Sequence, residues 1–293
     1  MTLKEFYEIH DKEINQAISS ALKEDRVYND VTTKLLLSSN TGDKKLNAVL
    51  LCKEDCILAG LEIFKKVYRQ IDKKAVFKSY SKDGDRLKKG TKILEVKTSL
   101  RNLLIGERTA LNFLQRMSGA ATLTHTFVKK LKYKDAKILH TRKTTPNFRV
   151  FEVAAVKTGG GDFHRLNLAS SVMIKDNHML SLGNMNDVME YLLSKKISLK
   201  LKHKFEIEVK TSEELDTVIK YGKGIVKVVM LDNFHPAKLS KAISLLKLNG
   251  FKIEVSGGIN LRNFTKYQRK GIDYYSIGSL THSYKSADFS LEF

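Results

Sequence analysis

The second half of the chain alternates short apolar runs with longer amphipathic stretches. Six runs rich in β-branched and aromatic residues have the length of buried strands: KILHT, VMIKD, FEIEV, VKVVML, KIEVS and YYSIG. The last four are separated by stretches of about 10–15 residues with helical periodicity. Because short loops connect these segments, the pattern indicates parallel strands joined by right-handed crossovers. The number of strands is near that of an α/β barrel.

The first part of the chain follows a different pattern. Residues 1–36 have apolar positions at helical spacing and are followed by a predicted turn, NDVTT. Residues 46–98 combine strand-like segments with one helical stretch, and DGDRLKKGTKILEV resembles a hairpin. This combination favours a two-layer α+β unit. Residues 101–131 predict one long helix with a bend or break at Ser118–Gly119.

Each apolar run in the second half ends in a charged, polar or glycine residue. In α/β barrels the carboxyl ends of the strands carry the chemistry, and the last loops often hold a phosphate. The groups at these ends are Arg142, Lys143, Lys175, Asp176, Glu206, Glu208, Asp232, Asn233, and the turns 256–258 and 277–279. One face of the predicted barrel therefore collects most of the candidate functional groups.

The segment 137–178 is rich in cations that border apolar runs: His140, Arg142, Lys143, His164, Arg165 and Lys175. Charges at the ends of buried segments cost free energy unless anions meet them. The guanidinium fork of Arg142, Arg165 or Arg108 matches a carboxylate or phosphate group. The segment therefore predicts a pocket for a ligand with several negative groups. Lys175 is alternatively a Schiff-base lysine, if it is desolvated.

The acidic and glycine groups at the later strand ends allow more than one role. The turns 256–258 and 277–279 expose backbone N–H groups, which suits a phosphate, although tight turns have the same composition. Glu208 and Asp232 fit Mg²⁺ bound to a pyrophosphate, structural ion pairs, or a general base. Glu206 has the same strand parity as Glu208 and is expected to lie deeper.

Composition excludes several classes of protein. The formal net charge of +20 makes nucleic-acid binding an alternative function. However, the lysines are spread along the chain with few interleaved aromatics, which favours solvated surfaces. No apolar run is long enough to cross a membrane, and the N-terminus lacks the pattern of a secretory signal. Cys52 and Cys56 are expected to be free thiols, and this predicts a cytoplasmic protein.

Ordered motifs along almost the full chain resemble those of one enzyme family. They are EDxxxxDVTT at 24–33, ERTALNFLQRMSGAAT at 107–122, TRKTTP at 141–146, GGGxxHRLxL at 159–168, IKDNH at 174–178, EIEV at 206–209, MLDNF at 230–234, VSGGI at 255–259 and DYYSIGSLTHS at 273–283. On these residues the chain resembles the quinolinate phosphoribosyltransferases, also called carboxylating nicotinate-nucleotide pyrophosphorylases.

The resemblance implies a fold and an assembly. The expected fold is an N-terminal open-faced α/β sandwich at 1–112, followed by an incomplete α/β barrel at 113–283. The C-terminal tail, 284–293, is expected to pack on the sandwich. The resemblance also implies a homodimer in which Arg108 enters the partner's active site, with possible further assembly into a hexamer. No membrane or nucleic-acid partner is implied.

The resemblance also implies a reaction between quinolinate and phosphoribosyl pyrophosphate (PRPP), with Mg²⁺, that gives nicotinate mononucleotide, pyrophosphate and CO₂. Loss of pyrophosphate creates positive charge at C1, which carboxylates and Mg²⁺ organise. The implied catalytic residues are Lys143, Lys175, Glu208 and Asp232. The implied substrate contacts are Arg108, Thr141, Arg142, Lys143, His164, Arg165, Lys175, Glu208, Asp232, Ser256, Gly257, Gly258, Ile277, Gly278 and Ser279.

The sequence departs from the family pattern at three places, and rival functions stay open. Asn147–Phe148 replaces Gly-Leu, Val153 replaces a lysine after Glu152, and Phe163 stands where Asn is common. Asn tolerates a left-handed backbone, so the first turn is expected to survive. The rivals are a molybdenum-transport-linked paralogue, against which the intact IKDNH argues, a Schiff-base aldolase using Lys175, and a nucleic-acid-binding protein.

Overall fold

The computed structural model describes residues 1–37, 39–195 and 205–293. Contacts within the chain define two compact units. The first, here called the antiparallel unit, consists of Met1–Thr126, Lys143–Gly161 and Leu280–Phe293. The second, the parallel unit, consists of Phe127–Arg142 and Asp162–Ser279. Part of the lysine-rich stretch LSKKISLKLKHK lies outside the described residues.

Helices and strands alternate along the chain. The helices are α1 Leu3–Ile9, α2 Asp11–Glu24, α3 Val31–Leu36, α4 Ser39–Gly42, α5 Leu61–Ile71, α6 Leu100–Lys130, α7 Arg149–Thr158, α8 Asp176–Leu182, α9 Met185–Lys195, α10 Ser212–Tyr221, α11 Pro236–Leu248, α12 Phe264–Tyr267 and α13 Ser279–His282, with a 3₁₀ turn at Val27–Asn29. The strands are β1 Lys45–Cys52, β2 Cys56–Ile57, β3 Val76–Ser79, β4 Arg86–Leu87, β5 Lys92–Ser99, β6 Lys137–Leu139, β7 Val172–Ile174, β8 Phe205–Val209, β9 Val226–Asp232, β10 Lys252–Ser256, β11 Tyr274–Ser276 and β12 Phe289–Glu292. None of the helices in the described residues is long and apolar enough to cross a membrane.

The antiparallel unit is built on a four-stranded sheet in the order β12-β1-β5-β3. Alternate residues of β1 (Ala48, Leu50 and Cys52) are fully buried, so one face of this strand packs on the core. Cys52 and Cys56 are buried free cysteines. The predicted hairpin around residues 83–96 is wrong, because β4 pairs with β2 and β5 pairs with β1 and β3.

Two helical predictions in this unit need correction. The stretch NDVTT is not a simple turn, because Asp30 caps α3 by accepting a hydrogen bond from the N–H of Thr32 at 3.0 Å. Helix α6 continues through Ser118–Gly119 without a break. A Cβ on Gly119 would collide with the carbonyl oxygen of Lys285, so glycine serves close packing at this position. The domain limits of 112 and 113 fall within α6 and stay a prediction.

The parallel unit is a six-stranded sheet in the order β6-β11-β10-β9-β8-β7. All six apolar runs predicted as strands form strands, and every pairing among them is parallel. The strands β6 and β7 end the order and do not pair with each other in the described residues, as an incomplete barrel requires. The helical pattern at LRNFTKYQRKG yields only the short helix α12. The predicted mixed α/β fold class is confirmed.

Candidate active site

The carboxyl ends of β8, β9 and β10 bring two carboxylates and a glycine turn to one edge of the parallel sheet. The register pairs Glu208 with Met230 and Met230 with Glu254. Two residues further along these strands, it pairs Asp232 with Ser256. Residues in register across parallel strands point to the same face of the sheet. These side chains therefore share one face, and Asp232 lies nearer the carboxyl edge than Glu208.

Lys175 forms an ion pair with Glu208 at this edge. Its Nζ donates to Oε2 of Glu208 at 2.8 Å, and the side chains are 39% and 7% exposed. The half-exposed ammonium group can therefore still reach a ligand. A Schiff-base lysine is expected to be desolvated and available to a carbonyl substrate, whereas Lys175 Nζ is bound to a carboxylate, so the geometry does not support the aldolase alternative. The neighbouring His178 caps α8, because its Nδ1 accepts from the N–H of Lys175 at 2.9 Å.

His164 lies between two buried glutamates. Its Nε2 is 3.3 Å from Oε2 of Glu206 and 3.4 Å from Oε2 of Glu254. Burial alone would lower the pKa of His164, but the hydrogen bonds and charges of the two carboxylates outweigh burial and raise it to about 10. Burial and the nearby Glu254 charge raise the pKa of Glu206. The two carboxylates therefore favour the charged imidazole.

The segment that carries His164 runs beside β6. Asp162 forms a parallel bridge with Leu139, and its N–H donates to the carbonyl oxygen of Ile138 at 2.8 Å. The N–H of His164 then donates to Nε2 of His140 at 3.1 Å. Phe163, which stands where the family pattern commonly has Asn, donates its N–H to Oδ1 of Asp162 at 2.9 Å. Hydrogen bonds from the backbone of Asp162 and His164 therefore hold this segment beside β6 and His140.

Two arginines of the parallel unit, Arg142 and Arg165, act on each other. The Nε of Arg142 is buried and has no hydrogen-bond partner. Arg165 donates from Nη1 to the carbonyl oxygen of Ser171 at 3.4 Å. Burial and the charge of Arg142 lower the pKa of Arg165, while Glu206 and Glu254 oppose this effect. Mutually repelling, partly unpaired guanidinium groups are suited to an anionic ligand.

The turns after β9 and β10 interlock. Asn233 adopts a left-handed backbone with φ 54°, and its N–H donates to the carbonyl oxygen of Ser256 at 3.0 Å. Gly257 has φ 95°, and a Cβ there would collide with Asn233. The next residue, Gly258, has φ 60°, and its carbonyl oxygen accepts from Nδ2 of Asn263 at 2.9 Å. Only glycine fits position 257, and the turn is held by its own hydrogen bonds.

The turn 277–279 follows β11 and borders β6. The N–H of Ile277 donates to the carbonyl oxygen of Leu139 at 3.1 Å. The hydroxyl of Ser279 is buried and has no hydrogen-bond partner. Thr141, the remaining predicted contact in this unit, follows the neighbouring strand β6. The structure therefore gathers the predicted residues Thr141, Arg142, His164, Arg165, Lys175, Glu208, Asp232, Ser256, Gly257, Gly258, Ile277, Gly278 and Ser279 in the parallel unit.

Glu208 and Asp232 fit a magnesium ion by their donor atoms. Oε2 of Glu208 binds Lys175, and Oδ2 of Asp232 accepts from Nδ2 of Asn233 at 2.7 Å. Neither contact uses Oε1 of Glu208 or Oδ1 of Asp232. Carboxylate oxygens are the donors that Mg²⁺ prefers, and it commonly takes one or two of them together with substrate phosphates.

The other two predicted residues, Arg108 and Lys143, belong to the antiparallel unit. Arg108, on α6, lines a cavity of about 350 Å³ together with Glu24, Asp25 and Arg116. The backbone of Lys143 is held because its carbonyl oxygen accepts from Oγ1 of Thr281 at 2.8 Å.

The loop after Lys143 is fixed by the buried residue Glu152. Its carboxylate accepts from the N–H of Thr145 at 3.0 Å, from the Thr145 hydroxyl at 2.8 Å and from the Tyr284 hydroxyl at 3.0 Å. Arg116 adds an ion pair at 3.5 Å. The loop contains Asn147 at φ 60°, which confirms the expected left-handed turn.

Phe148, the second residue of the Asn147–Phe148 departure, has its own packing role. Its ring stacks on Phe113 with centroids 5.6 Å apart, and the guanidinium carbon of Arg116 lies 5.2 Å from its centroid. The larger apolar side chain is therefore accommodated by an aromatic cluster and a cation–π contact.

Sequence reasoning missed the structural roles of Glu254 and Glu152. Glu254 is the central residue of the short strand β10, and Glu152 lies inside α7. The available signal was strand parity, because Glu254 precedes Ser256 by two residues and so points to the same face. The partners of Glu152 lie up to 132 residues away along the chain, so no local pattern indicated them.

Comparison with known proteins gives a consistent family. The model described as quinolinate phosphoribosyl transferase, N-terminal domain, matches residues 30–118, and the model of the C-terminal domain matches residues 120–292. A probable nicotinate-nucleotide pyrophosphorylase [carboxylating] from Bacillus subtilis (strain 168) is 37% identical over 261 residues, which are 89% of this chain and 88% of the relative.

Two further matches cover nearly the whole chain. Quinolinate phosphoribosyltransferase [decarboxylating] 2, mitochondrial, from Nicotiana glauca is 36% identical over 96% of this chain and 82% of the relative. The crystal structure of NadC from Streptococcus pyogenes has a TM-score of 0.87 at 37% identity, and it covers 96% of this chain and 95% of that chain.

Proposed function

Because the chain belongs to the quinolinate phosphoribosyltransferase family, we propose that it transfers the phosphoribosyl group of PRPP to quinolinate with decarboxylation. The products are nicotinate mononucleotide, pyrophosphate and CO₂, and the activity serves NAD biosynthesis. The observation that supports this activity best is the grouping at one edge of the parallel sheet. There, Lys175 pairs with Glu208, and Asp232 stands in register with the Ser256 turn.

Quinolinate binds through its two carboxylates. Arg142, Arg165, His164 and Lys175 supply four cations within the parallel unit, and the Nε of Arg142 has no partner of its own. Arginine forks orient a planar dicarboxylate, while the ammonium of Lys175 acts as a point charge. By motif match, Lys143 joins these contacts, and Arg108 reaches the quinolinate site of a partner subunit.

PRPP binds at the edge of the parallel sheet that carries Glu208 and Asp232. The turns 256–258 and 277–279 hold the 5-phosphate through backbone N–H groups, with the unpaired hydroxyl of Ser279 as a further donor. Glu208 and Asp232 contact the ribose and hold Mg²⁺. When it is bound, Mg²⁺ neutralises charge on the pyrophosphate leaving group.

The reaction depends more on the orientation of the two substrates and on electrostatic stabilisation than on proton transfer by side chains. The C1–O bond to pyrophosphate breaks, and its electron pair leaves with the pyrophosphate. The pyridine nitrogen then forms the bond to C1, and the pyridinium accepts the electron pair released when the 2-carboxylate leaves as CO₂. A proton from water takes its place on the ring. Lys143, Lys175, Glu208 and Asp232 are the proposed catalytic residues, and such positioning contributes up to about 7–11 kcal/mol.

The assembly and location are also part of the proposal. A homodimer places Arg108 in the partner's site, and three dimers form a hexamer. The expected location is the cytoplasm, although the Nicotiana glauca relative is named as mitochondrial. The domain division at residues 1–112 and 113–283, with the tail 284–293 on the first domain, belongs to the same proposal. No nucleic-acid partner is expected.

The decisive experiment measures nicotinate mononucleotide and ¹⁴CO₂ formed from carboxyl-labelled quinolinate, PRPP and Mg²⁺. Omission of PRPP and omission of Mg²⁺ are the controls, and both should abolish product. A folded protein that forms no product would contradict the proposal. Borohydride trapping of a carbonyl substrate on Lys175 would favour the aldolase instead, and salt-dependent DNA or RNA binding without turnover would favour a nucleic-acid-binding protein.

A further inference from the structure

The buried trio of His164, Glu206 and Glu254 holds more negative charge than its internal pairing requires. One imidazolium faces two carboxylates, which come from different strands, and Glu254 is only 1% exposed. Oε1 of Glu206 and Oε1 of Glu254 are both buried without a hydrogen-bond partner. Burying a carboxylate with an unpaired oxygen costs free energy. Stability of the fold alone does not account for the second carboxylate.

The two carboxylates contact His164 at the same imidazole nitrogen. That nitrogen is Nε2, at 3.3 Å from Glu206 and 3.4 Å from Glu254. The backbone N–H of His164 donates to Nε2 of His140, whose Nδ1 lies 3.2 Å from the carbonyl oxygen of Thr141. This pattern assigns His140 as the neutral tautomer with its proton on Nδ1. His140 therefore orients the His164 backbone without adding charge.

We propose that Glu254 is a positioning residue that keeps His164 doubly protonated, with Nδ1–H directed to a carboxylate of the bound pyridine dicarboxylate. This inference rests on the proposed function. Glu254 does not touch the substrate and acts through the ring of His164. The second carboxylate adds to the first in offsetting burial of the ring, which favours the neutral imidazole.

The charged groups that contact His164 come from two neighbouring strands, Glu206 from β8 and Glu254 from β10. Arg142, which follows β6, and Arg165, the next residue in the chain, are the cations of the same unit. Burial favours the neutral ring, whereas the carboxylates, at 3.3 and 3.4 Å from Nε2, favour the charged ring. The raised pKa of His164, about 10, agrees with the carboxylates prevailing.

The sign of the pH effect follows from this balance. Removal of the Glu254 charge takes away one of the two groups that raise the pKa of His164. The imidazole then loses its proton at lower pH, and quinolinate binding weakens above that pH. Glu206 is a poorer test position, because it lies two residues from Glu208 on the same strand.

The test compares Glu254→Gln with wild type in quinolinate KM between about pH 6 and about pH 9. Wild-type KM should stay level, whereas the variant's KM should rise by about tenfold per pH unit above its lowered pKa. The KM for PRPP and kcat should change by less than about twofold. Glu254→Asp should restore most of the wild-type profile. Glu213→Gln, an exposed carboxylate in the same unit, is the matched charge control and should behave as wild type.

NMR titration of ¹⁵N-labelled His164 in the wild-type protein needs neither turnover nor the variant. Titration near the ordinary histidine pKa of about 6.5 would overturn the inference, even if Glu254→Gln fails to fold. The inference would also be overturned if the quinolinate KM of Glu254→Gln followed the same pH profile as wild type. Equal increases of KM for quinolinate and for PRPP would overturn it as well. One equivalent of a divalent metal bound to the trio and lost in Glu254→Gln would show a metal site instead. If the protein formed no product but NMR showed that His164 is charged, the proposed function would be wrong. The inference about the protonation of His164 would still hold.

Discussion

Two buried carboxylate clusters, one in each unit, differ in how completely their oxygens are paired. Glu152, in the antiparallel unit, has Thr145 and Tyr284 as hydrogen-bond donors and Arg116 as an ion-pair partner. Glu206 and Glu254, in the parallel unit, each have one buried oxygen without a partner. Native structures rarely leave buried polar atoms unpaired, so each exception needs an explanation.

The difference indicates what each cluster is for. The Glu152 cluster ties the loop 144–148 and the residue Tyr284 to α7, and every contact lies within the protein. In the cluster of His164, Glu206 and Glu254, one imidazole faces two carboxylates, each with an oxygen that has no partner in the protein. We therefore expect substitutions in the first cluster to change stability and substitutions around the second to change substrate binding.

The largest expected effect is on stability at Glu152. Glu152→Ala leaves the Arg116 charge and two hydroxyl groups without their acceptor, so the free energy of unfolding should fall by about 3–5 kcal/mol. Urea denaturation followed by circular dichroism measures this change. Glu8→Ala, which removes an exposed carboxylate 3.9 Å from Lys4, is the control and should change stability by less than about 0.5 kcal/mol. If Glu152→Ala and Glu8→Ala lost equal free energy of unfolding, the structural role assigned to the Glu152 cluster would be wrong.

A smaller change in free energy is expected for substitution of Lys175. This substitution should lower catalytic activity and leave the stability of the fold unchanged. Lys175→Ala should lower kcat/KM for quinolinate by roughly 100-fold, because it removes a cation from the substrate edge. The matched control is Lys247→Ala, since the Lys247 side chain is 40% exposed and pairs with Asp273 at 2.7 Å. Steady-state kinetics and thermal melting should separate the two variants in activity but not in melting temperature. Full activity in Lys175→Ala would remove it from the site.

The smallest expected effect concerns the half-buried carboxyl of Asp83, whose partners are backbone N–H groups. Burial raises its pKa to about 6, although hydrogen bonds from the N–H groups of Leu61 and Gly60 oppose the shift. A raised pKa means that the folded protein binds the proton more tightly than the unfolded chain. The stabilisation is therefore fully present below about pH 3.8 and is lost as pH rises through about 6.

Asp83→Asn keeps the acceptor for the Leu61 N–H and removes the titration. Stability measured from about pH 4 to about pH 7 should fall with pH in wild type more than in Asp83→Asn. Parallel curves for the two proteins would show that Asp83 titrates normally.

Much of the parallel unit followed from local pattern. All six apolar runs formed strands, and the parity of Glu206 and Glu208 along β8 places both carboxylates on one face. In the antiparallel unit, Asn147 likewise adopted the left-handed turn expected from its side chain. These features depend on one or a few neighbouring residues, so the chain itself specifies them.

The antiparallel unit was predicted less well, because its pairings join distant segments. β4 lies close to β5 in the sequence but pairs with β2, and β12 completes the sheet from the other end of the chain. The cap at Asp30 turned an expected turn into α3. Short strands and helices of this kind have weak periodicity, and tertiary contacts decide their state.

By itself, the sequence determined the strand–helix alternation, the polar groups at the strand ends and the motifs that identify the family. These are properties of residue type and spacing. Only the tertiary structure decided that Glu254 and Glu206 share one histidine, that Glu152 joins Thr145, Arg116 and Tyr284, and that Gly257 packs against Asn233. Charge balance and hydrogen-bond pairing depend on distances between groups remote in sequence, and only the folded chain sets those distances.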